Sequence, residues 1–366
     1  MLLICQERVL VALSGGIDST VAAALLLEAG YEVTGVTFRF WVEPPPEMAA
    51  ASPASGTFFD VVEQARRISE LLGIAHEVVD LQKPFEEAVV DYFTGEYGRG
   101  RTPNPCVICN RKVKFAALLQ KAIELQCPYI ATGHYARVEY CADRGRYLLK
   151  KGLDQAKDQS YMLYNLTQAQ LARCLFPLGR LTKKQVRARA QELGPAVAGQ
   201  KESQEICFIP GNDYRAFLKR RGIKAEPGPI IDRNGRVLGR HDGVPFYTVG
   251  QRRGLGLSAP HPLYILEIRP RDNTIVVGEQ RELYRSTAEL DEINLVALSV
   301  LEQEEKVTVK IRYRAPEVSA RLAPLPQERQ ACLTFDTPQP AVAPGQAVVF
   351  YREDLVLGGG LITAAV

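Results

Sequence analysis

A predicted buried strand that runs into a glycine loop and then into an apolar helix constrains this fold more than any other feature. The segment VLVALSGGIDST occupies positions 9–20. Its apolar residues 9–13 predict a strand, and residues 18–29 predict a helix that ends before Gly30. Small residues at the start of a helix present backbone N–H groups to an anion. The loop therefore predicts a phosphate site, although it lacks the lysine of a Walker A loop.

A purely structural interpretation of the same loop is a tight glycine turn followed by a helix cap, with no bound ligand. The strand–turn–helix context favours the phosphate site over that alternative. A Walker lysine lies on the β- and γ-phosphates. Its absence indicates that the loop cradles the pyrophosphate itself, which then leaves as one unit.

Secondary-structure patterns divide the chain into an α/β part and a β part. Up to about residue 200, strands (9–13, 31–38, 75–81, 128–135) alternate with helices (18–29, 60–72, 111–126), and Asp60 with Glu63 predicts a capping box. This alternation predicts a parallel sheet with helices on both faces and ligands at the carboxyl ends of its strands. Beyond about residue 210, short alternating runs and turns predict only strands. We expect an α/β nucleotide-loop domain (1–212), a central β-rich domain (213–284) and a C-terminal β-barrel (285–366).

Bulk properties describe an ordinary globular chain. It has 366 residues, enough for two or three domains, and a formal net charge of +3, too small to identify a polyanionic partner. No run approaches the ~18 apolar residues of a membrane span, and MLLICQERVL does not resemble a signal peptide. We therefore expect a cytoplasmic protein without a membrane partner. Its 8 cysteines would then be catalytic, metal-binding or packing residues rather than a disulfide framework.

A CxxC motif, Cys106 and Cys109, lies in the segment RTPNPCVICNRKVKF (101–115). The pattern predicts a proline-braced loop before a basic helix, whose cations Arg111, Lys112 and Lys114 would lower the thiol pKa values. Zinc would need a second cysteine pair, and none follows nearby. The alternative is a structural turn with two buried cysteines. Cys207, in KESQEICFIP (201–210), is ambiguous by itself.

Seven motifs together identify a family. SGGIDS alone resembles the PP-loop ATP pyrophosphatases, in which the loop grips pyrophosphate while AMP passes to a carbonyl oxygen. With TPNP and the following CN, ATGHY (131–135), KDQSYMLY (157–164), ESQEICFI (202–209), VGQRRGLG (249–256) and KIRYR (310–314), the chain resembles the tRNA-specific 2-thiouridylase family over almost its whole length. The resemblance implies an adenine-nucleotide hydrolase-like domain followed by the two β domains.

The resemblance also implies a reaction and its partners. ATP, with Mg²⁺, would adenylate C2 of the wobble uridine at tRNA position 34, and sulfur would then replace that oxygen to give 2-thiouridine, AMP and pyrophosphate. Cys207 would carry the sulfur as a persulfide, and Cys109 would release it, leaving a Cys109–Cys207 disulfide. The tRNAs for Lys, Glu and Gln are the implied substrates. A cysteine desulfurase or a sulfur-relay protein would be the sulfur donor.

Motif positions assign the remaining site residues by resemblance. The ATP-binding positions are Ala12, Leu13, Ser14, Gly15, Gly16, Ile17, Asp18, Ser19, Phe38 and Gly133, with Asp18 expected near the metal. The target-base positions are Asn104, Pro105 and Cys106, and the other tRNA positions are His134, Lys157, Asp158, Gln159, Arg312, Tyr313 and Gln346. Arg252, Arg253 and the KIRYR cations are predicted to lie on β-strands as an RNA-backbone surface.

Cys106 departs from the family pattern, because many members have Asp there. Cys106, Cys109 and Cys207 could then hold a [4Fe–4S] cluster whose free iron binds sulfide. Both mechanisms use Cys109 and Cys207. Two further interpretations are a PP-loop amidating ligase, which has no need for paired cysteines, and a non-catalytic tRNA-binding module, which has no need for an intact loop.

Overall fold

The structure, a computed structural model, describes residues 7–43, 57–200 and 206–366, without the side chains of 57–60. Two compact units divide these residues. The first contains the described residues up to 88, 106–212 and 354–356, and the second contains 89–105, 213–353 and 357–366. In the described part of the chain, no helix is long and apolar enough to cross a membrane.

The strands and helices alternate early and give way to strands later. The strands are β1 Arg8–Ala12, β2 Glu32–Arg39, β3 Ala75–Asp80, β4 Tyr129–Ala131, β5 Ala136–Cys141, β6 Arg146–Lys151, β7 Cys174–Leu175, β8 Gly228–Ile231, β9 Val237–His241, β10 Tyr264–Arg269, β11 Thr274–Gly278, β12 Tyr284–Leu295, β13 Glu305–Lys310, β14 Val318–Pro324, β15 Ala331–Pro340, β16 Ala347–Arg352 and β17 Leu355–Ala365. The α-helices are α1 Ile17–Glu28, α2 Thr57–Leu72, α3 Gln82–Phe85, α4 Asp91–Gly98, α5 Pro105–Cys109, α6 Phe115–Glu124, α7 Ser160–Leu163, α8 Gln168–Leu171, α9 Lys183–Glu192, α10 Pro195–Ala198 and α11 Tyr214–Arg220. Two π-helical segments, Glu86–Val90 and Asn110–Lys114, and short 3₁₀ turns complete the elements.

The first unit is built on a five-stranded sheet in the order β3-β2-β1-β4-β7. Every pairing in it is parallel, which confirms the predicted α/β class. Val9 and Val11 of the central strand are fully buried and pack in one apolar cluster with Ala23 of α1. A second cluster joins α1 to α9 through Val21 and Val186. Because all strands run the same way, the segments after β1, β2 and β4 lie at one edge of the sheet.

The second unit contains two β structures. A four-stranded sheet has the order β10-β11-β8-β9. The other strands form a six-stranded barrel in the order β12-β15-β14-β13-β16-β17, which the pairing of β12 with β17 closes. Gly235 and Asn273 lie at two of the turns with φ of +83° and +46°. The predicted central β-rich region and C-terminal barrel are therefore both present.

Three local predictions were wrong. Helix α2 begins at Thr57, so Asp60 lies inside it and does not cap it. The predicted helix 111–126 is present as the π-helical segment followed by α6, but the CxxC motif before it lies in α5 rather than in a loop. Arg252, Arg253 and residues 312–314 lie in loops and turns rather than on strands, because the neighbouring strands end before them.

Candidate active site

The SGGIDS loop has the geometry of an anion cradle. Gly15 adopts a left-handed φ of +72°, and Gly16 caps α1 in an extended conformation without a side-chain hydrogen bond. The Ser14 N–H donates to Ser19 Oγ at 3.2 Å, and Ser19 Oγ donates to the Gly16 carbonyl at 3.0 Å. These bonds hold the loop over the first turn of α1, whose backbone N–H groups have no partner within the helix. The result is a rigid, positively polarised helix start.

The other predicted nucleotide residues lie around this loop. Ala12 and Leu13 connect β1 to it, and Phe38 is buried near the carboxyl end of β2. A Cβ on Gly133 would lie 2.7 Å from the Asp18 carbonyl carbon and 2.8 Å from the Ser19 nitrogen. Only glycine therefore allows the ATGHY turn to approach the first turn of α1 this closely.

Asp18 is held by two residues that the sequence reasoning missed as functional partners. Lys183 Nζ donates to the Asp18 carboxylate at 2.7 Å (Oδ1) and 2.9 Å (Oδ2). The Tyr135 hydroxyl donates to Asp18 Oδ1 at 2.8 Å. No sequence signal could have found Lys183, since 165 residues separate it from Asp18 and the fold alone brings the two together.

The three predicted site cysteines lie in the first unit. Cys109 is buried at the end of α5, while Cys106 and Cys207 each retain an exposed side. Their thiols interact electrostatically with one another, which places them in one neighbourhood. Lys201, Glu202 and Glu205, which precede Cys207 in the chain, lie outside the described residues.

The pKa values of these thiols depart from the sequence prediction. Desolvation by the surrounding protein raises the pKa of Cys109 to about 11 and that of Cys207 to about 12. It also raises the pKa of Cys106. Lys114 opposes this shift at all three thiols. Lys114 thus acts in the predicted direction, but the prediction of a net lowered pKa was wrong, because desolvation outweighs its attraction for the thiolate.

The cysteines do not fit the proposed metal cluster. Among residues 7–43, 57–200 and 206–366, no three His, Cys, Asp or Glu side chains form a group that could hold a metal ion. We therefore derive no reaction step through an iron–sulfur cluster.

Several residues predicted to contact tRNA have internal partners. Asp158 is buried and accepts hydrogen bonds from the Gly152 and Ser160 N–H groups at 3.0 and 3.1 Å. Gln159 Oε1 accepts from the Tyr135 N–H at 3.0 Å, so it supports the ATGHY turn. Lys157, next to them, is partly exposed.

His134 of the same turn packs among aromatic side chains. Its ring lies 6.0 Å from that of Phe115 and 6.3 Å from that of Phe176, and Nδ1 lies 2.7 Å from Thr132 Oγ1. Burial and, to a smaller extent, Lys114 lower the His134 pKa to about 3. The imidazole is therefore neutral at physiological pH.

The remaining predicted tRNA and base residues lie in the second unit. Asn104 and Pro105 immediately precede Cys106 in the chain, and Gln346 precedes β16. Arg312 and Tyr313 follow β13, and Arg312 lines a cleft of about 470 Å³. Other residues of that cleft are Tyr214, Arg215, Gln251 and Arg253. Three arginines thus meet around one concave surface.

Family models match nearly the whole chain in three consecutive parts. Residues 7–211 match the "tRNA methyl transferase HUP domain", residues 215–279 the "tRNA methyl transferase PRC-barrel domain", and residues 285–362 the "Aminomethyltransferase beta-barrel domain". A parallel sheet whose central strand ends in an SGGIDS loop, followed by two β modules, defines a HUP-type α/β protein of this three-part class.

Curated relatives identify the family within that class. The chain is 48% identical over 357 residues to the tRNA-specific 2-thiouridylase MnmA of Pelotomaculum thermopropionicum, covering 98% of this chain and 97% of the relative. It is 51% identical over 358 residues to MnmA 1 of Caldanaerobacter subterraneus subsp. tengcongensis, covering 98% of both. The chain therefore belongs to the tRNA-specific 2-thiouridylase family, as its motifs predicted.

Proposed function

We propose that this chain is an ATP-dependent tRNA-uridine 2-sulfurtransferase that converts wobble uridine 34 to 2-thiouridine. The observation that carries the proposal is the proximity of Cys207 to Cys109, which raises the pKa of the Cys207 thiol, in the same unit that holds the SGGIDS loop. The names of the relatives support the substrate. An amidating ligase has no use for this thiol pair, which argues against the alternative enzyme.

The chemistry requires three successive displacements. The uracil C2 oxygen attacks the α-phosphorus of ATP, pyrophosphate leaves, and the C2 oxygen becomes part of an AMP leaving group. The terminal sulfur of a Cys207 persulfide then attacks C2 and expels AMP. The Cys109 thiolate next attacks the Cys207 sulfur, which releases the 2-thiouridine sulfur and leaves a Cys109–Cys207 disulfide. A thiol reductant and a new sulfur donor must restore the enzyme for another turnover.

Residues of the first unit support these steps. The helix start and the Ser14 hydroxyl offer donors to departing phosphate oxygens, while Ser19 holds the loop through its bond to the Gly16 carbonyl. Mg²⁺ is proposed to accompany ATP, where it would neutralise phosphate charge. Lys114 is the cation that favours thiolate formation at Cys109 and Cys207.

Partners and boundaries complete the proposal. The tRNAs for Lys, Glu and Gln are the proposed substrates, the sulfur donor is a cysteine desulfurase or a sulfur-relay protein, and the site of action is the cytoplasm. Asn104, Pro105 and Cys106 are proposed to contact the target base. His134, Lys157, Asp158, Gln159, Arg312, Tyr313 and Gln346 are proposed to contact or position the tRNA. The proposed domain boundaries follow residues 212 and 284.

Alanine substitution of the paired cysteines tests the function directly. We expect Cys109→Ala and Cys207→Ala each to lower 2-thiouridine formation by at least about a hundredfold, in keeping with loss of a nucleophile. Adenylation of tRNA by ATP, with release of pyrophosphate, should persist in both variants. Cys141→Ala, on the β5–β6 hairpin, is the control with full activity. The measurement is mass spectrometry of digested tRNA after reaction with ATP, a cysteine desulfurase and cysteine, and retained thiolation in either variant would contradict the roles.

A further inference from the structure

Lys183 places a nearly buried ammonium beside the phosphate loop. Only 7% of the residue is exposed, and its Nζ lies within 2.9 Å of both carboxylate oxygens of Asp18. Tyr135 supports the same pair, because its hydroxyl donates to Asp18 and its ring lies 5.9 Å from the ammonium. Three separate elements, α1, the ATGHY turn and α9, thus meet at this charge.

The stability of α9 does not explain a lysine at this position. Lys183 is the first residue of α9, where a cation opposes the positive end of the helix dipole. Thr182 and Gln185 already satisfy the start of the helix through a complete capping box, and its first turn has no acidic residue. Burial of an ammonium is also costly unless it is paired. The Asp18 carboxylate, rather than the stability of α9, therefore explains why a lysine occupies position 183.

Asp18 is the more solvent-exposed member of this ion pair. The Asp18 side chain is 36% exposed, compared with 9% for the Lys183 side chain. Asp18 lies in the first turn of α1, whose backbone N–H groups have no partner within the helix and can bind an anion. An ammonium held against this carboxylate therefore lies beside the helix start that the sequence predicts as a phosphate site.

We propose that Lys183 supplies the cation that the SGGIDS loop lacks and binds the β- and γ-phosphates that leave as pyrophosphate. This inference rests on the proposed use of ATP. Asp18 holds the ammonium at the loop before nucleotide binds, and Tyr135 fixes the carboxylate. Lys183 then exchanges part of its interaction with Asp18 for phosphate oxygens, so that the negative charge of the leaving group meets a fixed positive charge.

Pyrophosphate affinity is the direct test. Inorganic pyrophosphate and AMP are titrated separately into the full-length protein in EDTA, with binding followed by calorimetry. We expect Lys183→Met to weaken pyrophosphate binding by about 10- to 100-fold, as for loss of a charge-assisted hydrogen bond, and to leave AMP binding within about twofold. Lys184→Met, which removes the exposed neighbouring lysine, should change neither affinity.

The Asp18→Asn variant distinguishes pyrophosphate binding by Lys183 from structural support of Asp18 by Lys183. If Lys183 binds pyrophosphate, Asp18→Asn keeps or tightens pyrophosphate affinity, because it removes a negative charge near the anion and pyrophosphate then replaces Asp18 as the partner of the ammonium. If Lys183 only braces Asp18, the two variants weaken pyrophosphate binding equally, which would overturn the proposal. Equal losses of AMP and pyrophosphate binding in Lys183→Met, or no loss at all, would also overturn it.

The proposal can still be tested if Lys183→Met does not fold. The double variant Lys183→Met/Asp18→Asn leaves no buried charge unpaired, and it is compared with Asp18→Asn alone for the same pyrophosphate loss. Absence of 2-thiouridine from the wild-type reaction would contradict the proposed function without changing the pyrophosphate result. A wild-type protein that thiolates tRNA while Lys183→Met binds pyrophosphate normally would contradict only the assignment of Lys183.

Discussion

Lys114 is the residue on which thiol reactivity depends most directly. Desolvation keeps Cys109 and Cys207 protonated near neutral pH, with pKa values of about 11 and 12. The Lys114 ammonium counters this effect, and the Lys114 backbone also hydrogen-bonds Cys109 in a way that favours the thiolate. Since only the thiolate attacks sulfur or carbon, Lys114 sets the reactive fraction at a given pH.

Replacement of Lys114 by Met should therefore slow thiol chemistry. Below a raised pKa, the thiolate fraction grows about tenfold for each pH unit, so alkylation of wild-type Cys109 by iodoacetamide should accelerate steadily from about pH 7 to 9. Lys114→Met raises the pKa further and should lower the rate about three- to tenfold at each pH. Lys112→Met, which removes an exposed lysine of the same π-helical segment, is the control. Peptide mass spectrometry gives the rates, and equal rates in the two variants would exclude the role of Lys114.

Sequence reasoning placed the loop correctly and failed where a property depends on burial or distant contacts. Ser14 to Ser19 could be located between a strand and a helix because these elements are adjacent in the chain. The pKa direction of Cys109 could not be predicted, because the desolvation that dominates it comes from atoms remote in sequence. The Asp18–Lys183 pair was missed for the same reason.

At the scale of elements, the site depends on the close approach of the ATGHY turn to the first turn of α1. Gly133 makes this approach possible, and Gln159 braces the turn through the Tyr135 N–H. The parallel direction of the strands was predictable from β/α alternation, because parallel strands require crossover connections. The start of α2 and the π-helical segment after Cys109 were not, since helix ends and helical type depend on packing more than on residue pattern.

A methyl group at position 133 should disrupt this approach. The new Cβ would contact backbone atoms of Asp18 and Ser19, which cannot rotate away. We expect Gly133→Ala to destabilise the protein by about 1–3 kcal/mol, as overpacking does, and to weaken ATP binding about tenfold or more by displacing the α1 turn. The free energy of unfolding in urea and the ATP affinity provide the two measurements.

Gly95→Ala is the matched control for that experiment. Gly95 lies inside α4, and a Cβ there meets nothing within 4 Å. It should therefore leave ATP binding unchanged and stabilise the protein by about 0.5–1 kcal/mol, the usual gain of alanine over glycine within a helix. An unaltered ATP affinity in Gly133→Ala would show that the turn does not control the loop.

For the whole molecule, recognition of RNA cannot come from overall charge. The net charge is only +3, so attraction to a phosphate backbone must come from local groups of cations. The second unit provides one such group in the cleft that Arg215, Arg253 and Arg312 line. Arg215 also lies 5.2 Å from the Tyr247 ring, a contact that orients its guanidinium. The sequence suggested Arg253 and Arg312 from different motifs, but it gave no indication that Arg215 joins them.

The salt dependence of tRNA binding tests whether this cleft holds phosphates. Each arginine that contacts a phosphate adds about one unit to the slope of log K against log salt concentration. Arg215→Gln, Arg253→Gln and Arg312→Gln should therefore each weaken tRNA binding and reduce that slope by about one, and the triple variant by about three. Arg281→Gln, an exposed arginine paired with Glu279 at 3.1 Å, is the control with an unchanged slope. Filter binding of unmodified tRNA over a range of KCl concentrations gives the slopes. A triple variant with the wild-type slope would mean that the arginines stabilise the second unit and that the tRNA backbone is held elsewhere.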